Sequence, residues 1–168
     1  MNRVVAGLAA GAAGTAALNA VTYGDMLLRG RAASEVPART AEALTGRMGV
    51  RFPGGDRSRH RMEASGALMG MVAGMGTGVL YGALRRRRSA PLVLRALSLC
   101  GPAMLAADAP PVFLRVTDPR RWHPSGWLAD LVPHLVYGLV TATVFEALWR
   151  RRRAPSVSGV LARLRAAN

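Results

Sequence analysis

"ASGALMGMVAGMGTGVLYGALRRRR", residues 64–88, sets 21 uncharged residues against four consecutive arginines. A helix rises 1.5 Å per residue, so the uncharged part reaches about 30 Å, the thickness of a bilayer's hydrocarbon layer. Its glycines are compatible with helix, because Gly is common in membrane spans. Arg85, Arg86, Arg87 and Arg88 cannot follow into hydrocarbon without a large desolvation cost. The stretch therefore reads as a membrane-spanning helix with a charged stop.

The rest of the chain repeats that pattern. Residues 4–24, "VVAGLAAGAAGTAALNAVTYG", carry no charge, and the span is expected to reach about residue 28. Residues 127–149 begin and end on Trp127 and Trp149, about 33 Å apart along a helix, so one Trp can sit in each interfacial belt. Arg150, Arg151, Arg152 and Arg153 follow at once. Residues 90–112 form a less regular third span, interrupted by Arg95 and Asp108. Pro102 is expected to bend it, and Pro110 and Pro111 to end its regular helix. The expected fold is all-α: an integral-membrane four-helix bundle over residues 1–153, followed by a basic tail, 154–168. That tail reads either as an amphipathic segment on a membrane surface or as disordered.

Composition narrows the class. The chain has 168 residues, a net charge of +14, and 51% hydrophobic residues. Its sequence pI is about 11.8 and its mean hydropathy +0.18. Such a charge often marks nucleic-acid binding. Here it is segregated from long apolar runs, which points to anionic lipid headgroups and away from nucleic acid. All 23 basic residues are arginine, and Lys, Ile and Gln are absent, as GC-rich codon usage would produce. The apolar run after Arg3 is too long for a secretory h-region.

The connection from 29 to 63 contains "SEVPARTAEALTGRMG", residues 34–49, expected to form a short amphipathic helix. Ser34 is a candidate N-cap, Pro37 suits the first turn, and Gly46 or Gly49 can end it. Ala41, Leu44 and Met48 are its expected apolar side. A Tyr-Gly echo joins "VLYGAL" in the second span to "LVYGLV" in the fourth, read either as a duplicated unit or as chance.

Four spans put both termini and both arginine blocks on one side. Arginines that abut a span favour the cytoplasm, so both termini are expected there. The 29–63 connection competes with eight arginines of its own.

Several polar residues fall inside or beside the spans. Asp25, Asp108, Asp130 and His134 lie at similar depth on the non-cytoplasmic side, and Asp130 and His134 share a helix face at i, i+4. They read as a proton relay or weak cation site, or as interfacial and structural groups. Arg95 and Glu146 are a candidate interhelical ion pair, with Glu146 to Arg150 the local alternative. Asn19, Thr22 and Tyr23 make a polar stripe suited to interhelical hydrogen bonds. Gly7, Gly11 and Gly14, with Gly70, Gly74 and Gly78, form small-residue faces for close packing, within the monomer or across a homodimer.

Nothing in the sequence points to a cofactor, metal or catalytic constellation. Cys100 is the only cysteine, so neither an internal disulfide nor a Cys/His metal cluster is expected. Met69, Met71 and Met75 are expected to serve packing rather than copper. Two functional readings stand: a structural or accessory membrane protein holding lipid or a protein partner, and a small transporter or channel for protons or cations.

The segments "AGLAAGAAGTAALNAVTYGDMLLRGRAASEVPARTAEAL", "VTDPRRW" and "WLADLVPHLVYGLVTA" together resemble a group of small, uncharacterised actinobacterial membrane proteins with four spans. "PHLVYG" and the four spans are also distantly similar to bacterial YagU-type inner-membrane proteins. The resemblance implies a bacterial plasma-membrane location and carries no catalytic residue.

Overall fold

The computed structural model describes residues 2–50, 52–85 and 90–151, with Arg150 and Arg151 as helix backbone only. Arg86, Arg87, Arg88, Arg152, Arg153 and the tail 154–168 lie outside the described residues, as do the side chains of Arg150 and Arg151. Among the described residues the fold is entirely helical: α1 (Arg3–Arg29), α2 (Val36–Arg47), α3 (Asp56–Leu84), α4 (Leu92–Phe113) and α5 (Pro124–Arg151). A single 3-10 turn, Pro119–Arg121, precedes α5. α1, α3, α4 and α5 are each long and apolar enough to cross a membrane.

These four helices form a ring. α1 packs closely on both α3 and α5, α4 packs on α5, and the α3–α4 side is the loosest. α3 and α5 therefore face each other across the bundle. One end of the bundle holds the N-terminus of α1, the C-terminus of α3, the N-terminus of α4 and the C-terminus of α5. It is called the arginine end below, and the opposite end, which carries α2, the α2 end.

The distribution of side chains is inverted relative to a water-soluble bundle. Small residues fill much of the interior: Ala6 and Ala10 pack on Phe145, and Ala103 and Ala142 on Leu99 and Tyr137. Large apolar residues such as Leu68, Val72, Leu105 and Leu128 point outward. An apolar exterior on this scale is unstable in water but costs nothing in lipid. The chain is accordingly a multi-pass membrane protein.

Glycine sets the helix spacing. A Cβ on Gly7 would collide with the carbonyl of Gly78, and one on Gly11 would sit 2.8 Å from the carbonyl oxygen of Gly74. The α1 and α3 backbones thus touch along these residues. Gly14 lies against Tyr137 and Thr141 of α5, and Gly138 against the carbonyl of Ala96 in α4. The expected glycine faces pack within the monomer, with one exception. Gly70 faces open space, because it lies on the outer side of α3.

α3 starts eight residues before the expected span, at Asp56. Its first turns carry charge and extend beyond the hydrocarbon, where α2 packs on them. Gly66 lets the backbone at Pro37 and Ala38 approach, and Thr40, Ala41 and Met62 are buried there. Pro37 occupies the first turn of α2, as its fixed φ favours. The N-cap position is held by Glu35, whose side chain makes no cap bond, while the Ser34 hydroxyl accepts from Val36 N at 3.3 Å. Gly49, at φ 74°, closes the helix: its N–H reaches Gly46 O and that of Val50 reaches Thr45 O. Met48 is 75% exposed rather than on the buried side, because the helix ends before it.

α4 departs from expectation at its end. Pro110 and Pro111 lie inside the helix, which runs on to Phe113. The helix then closes by the same device as α2. Arg115 N–H donates to Val112 O at 3.0 Å and Val116 N–H to Pro111 O at 2.8 Å. Arg115 supplies the left-handed residue, at φ 59°, where Gly is the usual occupant. Arg115→Gly is expected to stabilise the fold by about 1 kcal/mol, since an L-residue in that region carries a strain of that order. Thermal unfolding in detergent micelles measures it, and an unchanged or lower midpoint would contradict the assignment.

The Tyr-Gly echo has a shared physical use. Tyr81 and Tyr137 both turn into the bundle, and the following Gly82 and Gly138 each admit a neighbouring backbone carbonyl, of Arg3 and Ala96 respectively. Each pair thus puts an aromatic ring inside the bundle and a close backbone contact beside it.

Candidate functional site

Polar groups gather at three levels. One face of α5 organises all of them: Asp130, His134, Tyr137, Thr141 and Phe145 recur at spacings of three and four, so they line one inward stripe. Glu146 follows directly.

At the arginine end, Glu146 receives two guanidinium groups. Arg95 Nη1 lies 2.9 Å and Arg85 Nη2 3.1 Å from Glu146 Oε1. The expected Arg95–Glu146 pair is therefore present, and Arg85, from the first arginine block, joins it across the diagonal of the bundle. All three side chains are between 15% and 20% exposed. Arg3 Nη1 donates to the Arg85 carbonyl at 3.2 Å and its guanidinium stacks over Trp149, 5.0 Å from the ring centre. Tyr81 packs edge-on against Phe145 at 5.2 Å, with the Arg85 guanidinium 5.9 Å from its ring centre.

At mid-depth, Tyr137 Oη donates to Gly74 O at 2.6 Å, joining α5 to α3. Thr15 and Thr77 return their hydroxyls to carbonyls of their own helices, Gly11 and Ala73. Leu99, Tyr137, Thr141 and Phe145 are essentially inaccessible, so this layer is filled. Tyr137→Phe is expected to cost about 1 kcal/mol, the net worth of one intramolecular hydrogen bond, without altering helix content. Thermal unfolding in micelles and circular dichroism read the two quantities. No change in stability would mean the bond contributes nothing.

At the α2 end, His134 Nδ1 faces two oxygens of Asp130: the backbone carbonyl at 2.8 Å and Oδ1 at 3.2 Å. Nδ1 carries its hydrogen there, since both partners accept. The Asp108 carboxyl, on α4, is near enough to Asp130 and His134 for their charges to bear on it. Asp130 Oδ2 is buried and has no donor among the described residues. Asp108, Asp130 and His134 thus come together between α4 and α5. Asp25 does not join them. Arg29 holds it at 2.7 Å and Arg31 at 2.6 Å, a local clasp at the end of α1.

The expected stripe of Asn19, Thr22 and Tyr23 makes no interhelical hydrogen bond among the described residues, and Tyr23 is 61% exposed. Tyr137 makes that bond instead, through Gly74 O. The spacing of Tyr137 and Thr141 after His134 is the signal that could have found them.

No family model, curated protein or solved structure matches this chain. Its functional reading therefore rests on the geometry. No group of His, Cys, Asp and Glu suited to a metal ion occurs among the described residues.

Proposed function

We propose that this chain is a structural or accessory protein of a bacterial plasma membrane, with both termini in the cytoplasm. It acts through helix faces and through contacts between its arginine-rich side and anionic headgroups. The observation that carries this reading is the closed interior. The α1 and α3 backbones touch at Gly7, Gly11, Gly74 and Gly78, and the central layer is filled by Leu99, Tyr137 and Thr141. A packed bundle of this kind suits a scaffold better than a conduit, because side chains and backbone already occupy the axis.

The arginines that abut the ends of α3 and α5 support the orientation, against the eight carried by the 29–63 connection. Many arginines at the α2 end are matched by nearby carboxylates: Arg29 and Arg31 by Asp25, Arg39 by Glu35, and Arg59 by Asp56 and Glu63. The arginine end has Glu146 as its single side-chain carboxylate. Reporter fusions at residues 45 and 168 test the topology. The expected result is a cytoplasmic signal at 168 and none at 45, and the reverse overturns it. Release from membranes by detergent and not by high salt is expected, since phosphate contacts alone would be screened.

A second reading is favoured by the Asp108–Asp130–His134 group, whose buried Asp130 Oδ2 could be satisfied by a proton held between the two carboxyls. On that reading the group handles protons. Proteoliposome flux separates the two. The scaffold predicts no proton or cation flux above protein-free vesicles. Flux that disappears in an Asp130→Asn/His134→Gln variant of intact fold would replace it with the second reading.

A further inference from the structure

The connection between α2 and α3 is pinned at both ends to the edge of the membrane. α4 is long and apolar enough to cross the bilayer, and it ends at Phe113, whose ring is 79% exposed. The guanidinium of Arg47, the last residue of α2, lies 5.9 Å from the centre of that ring. The end of α2 therefore stands at the depth where α4 leaves the hydrocarbon. A second ring–guanidinium pair fixes the other end. The Arg61 guanidinium lies 5.3 Å from the ring centre of Phe52. Arg61 precedes the uncharged run of α3, which begins at Ala64, by three residues, about 4.5 Å along the helix.

Between these two pins the chain turns apolar groups outward. Met48, Val50 and Phe52 are all exposed, Met48 to 75%. Single exposed apolar side chains are ordinary on a surface in water. Here three fall within five residues, at a depth where lipid is the neighbouring medium. The exposed face of α4 runs without a break through Leu105 and Val112 to Phe113, so the lipid that covers this face continues onto the segment beside it. The two arginines suit the same boundary. In a ring–guanidinium pair the ring enters the acyl layer while the charge stays at the level of the phosphates.

We propose that the α2–α3 connection is an in-plane membrane anchor: Met48, Val50 and Phe52 insert between headgroups and acyl chains, and Arg47 and Arg61 meet the phosphates above them. Such an anchor restricts how far α3 and α4 tilt or rise in the bilayer. The inference rests on the membrane-spanning fold, holds for either orientation, and is independent of the scaffold reading.

The test uses the full chain with Cys100→Ala, reconstituted in vesicles of phosphatidylethanolamine and phosphatidylglycerol, with a nitroxide attached through Val50→Cys. Electron paramagnetic resonance reads the accessibility of the label to oxygen, which concentrates in lipid, and to a water-soluble nickel chelate. Leu105→Cys, on the lipid-facing side of α4, and Asp56→Cys, at the exposed start of α3, supply the two reference values. The oxygen-to-nickel ratio at Val50 is expected to be severalfold above that at Asp56 and to approach that at Leu105. A ratio no higher than at Asp56 overturns the anchor. Met48→Cys reads the same depth if the Val50 variant misfolds, and a water-exposed label there overturns the anchor equally. Arg47→Gln with Arg61→Gln should lower the ratio at Val50, and an unchanged ratio would overturn the part given to the arginines. A label shielded from both reagents in native membranes, but not in the pure-lipid vesicles, would replace lipid by a protein partner. A water-exposed label at Leu105 would overturn the spanning fold, and the anchor with it.

Discussion

Gly78→Ala is expected to destabilise the bundle by about 3 kcal/mol, the upper part of the range for overpacking a close-packed interior. The new methyl would lie 2.7 Å from the Gly11 Cα and closer still to the carbonyl of Gly7. Both obstacles are backbone, so no rotamer change relieves them. α1 and α3 would have to separate along their shared seam, losing the dispersion contacts that hold membrane helices together when no hydrophobic drive exists between them. The control is Gly70→Ala on the same helix. Nothing lies within 4 Å of the methyl it would add, and Ala is the better helix former, so stability should hold or rise slightly. Unfolding in mixed micelles with increasing sodium dodecyl sulfate reads both. Equal effects at the two positions would show that the seam does not carry the bundle.

Glu146→Gln is expected to cost about 3 kcal/mol, the lower part of the range for breaking a buried pair, because the group retains some contact with solvent. The substitution keeps shape and removes the charge that Arg85 and Arg95 share. Two guanidinium groups would then face each other in a site from which water is largely excluded. Arg95→Gln, introduced into the same variant, should recover part of the loss, since one uncompensated cation is removed. A double-mutant cycle measured by unfolding in micelles gives the coupling. Additive losses would mean that the two side chains do not act as a unit.

Much of the architecture was legible along the chain because a membrane imposes a length rule. Four stretches long and apolar enough to span, with Trp127, Trp149 and the arginine blocks as end markers, became α1, α3, α4 and α5. Arg95 and Glu146 could be paired in advance because each interrupts an apolar run near the same end. The limits of α4 were harder to read. Pro110 and Pro111 break a helix by local rules, yet α4 continues past both to the Arg115 closure. The polar stripe on α1 was misjudged because periodicity tells which residues share a face but not what that face meets. Asn19 and Thr22 share a face, and the bond that joins helices at depth comes from Tyr137.

The candidate site shows the same division. Asp130 and His134 could be joined by their spacing on one helix, whereas the addition of Asp108 and the loss of Asp25 depended on neighbours. Asp108 faces α5, and Asp25 is drawn to Arg29 and Arg31 four and six residues further on. Hydropathy, length and charge blocks are one-dimensional quantities, so the sequence by itself determined that this chain crosses a membrane four times and where its charge is concentrated. Which helices touch depends on how small residues from distant segments interlock. Only the tertiary structure decided that Gly7 meets Gly78, that Gly70 meets nothing, and that a single carboxylate is set among the arginines at one end.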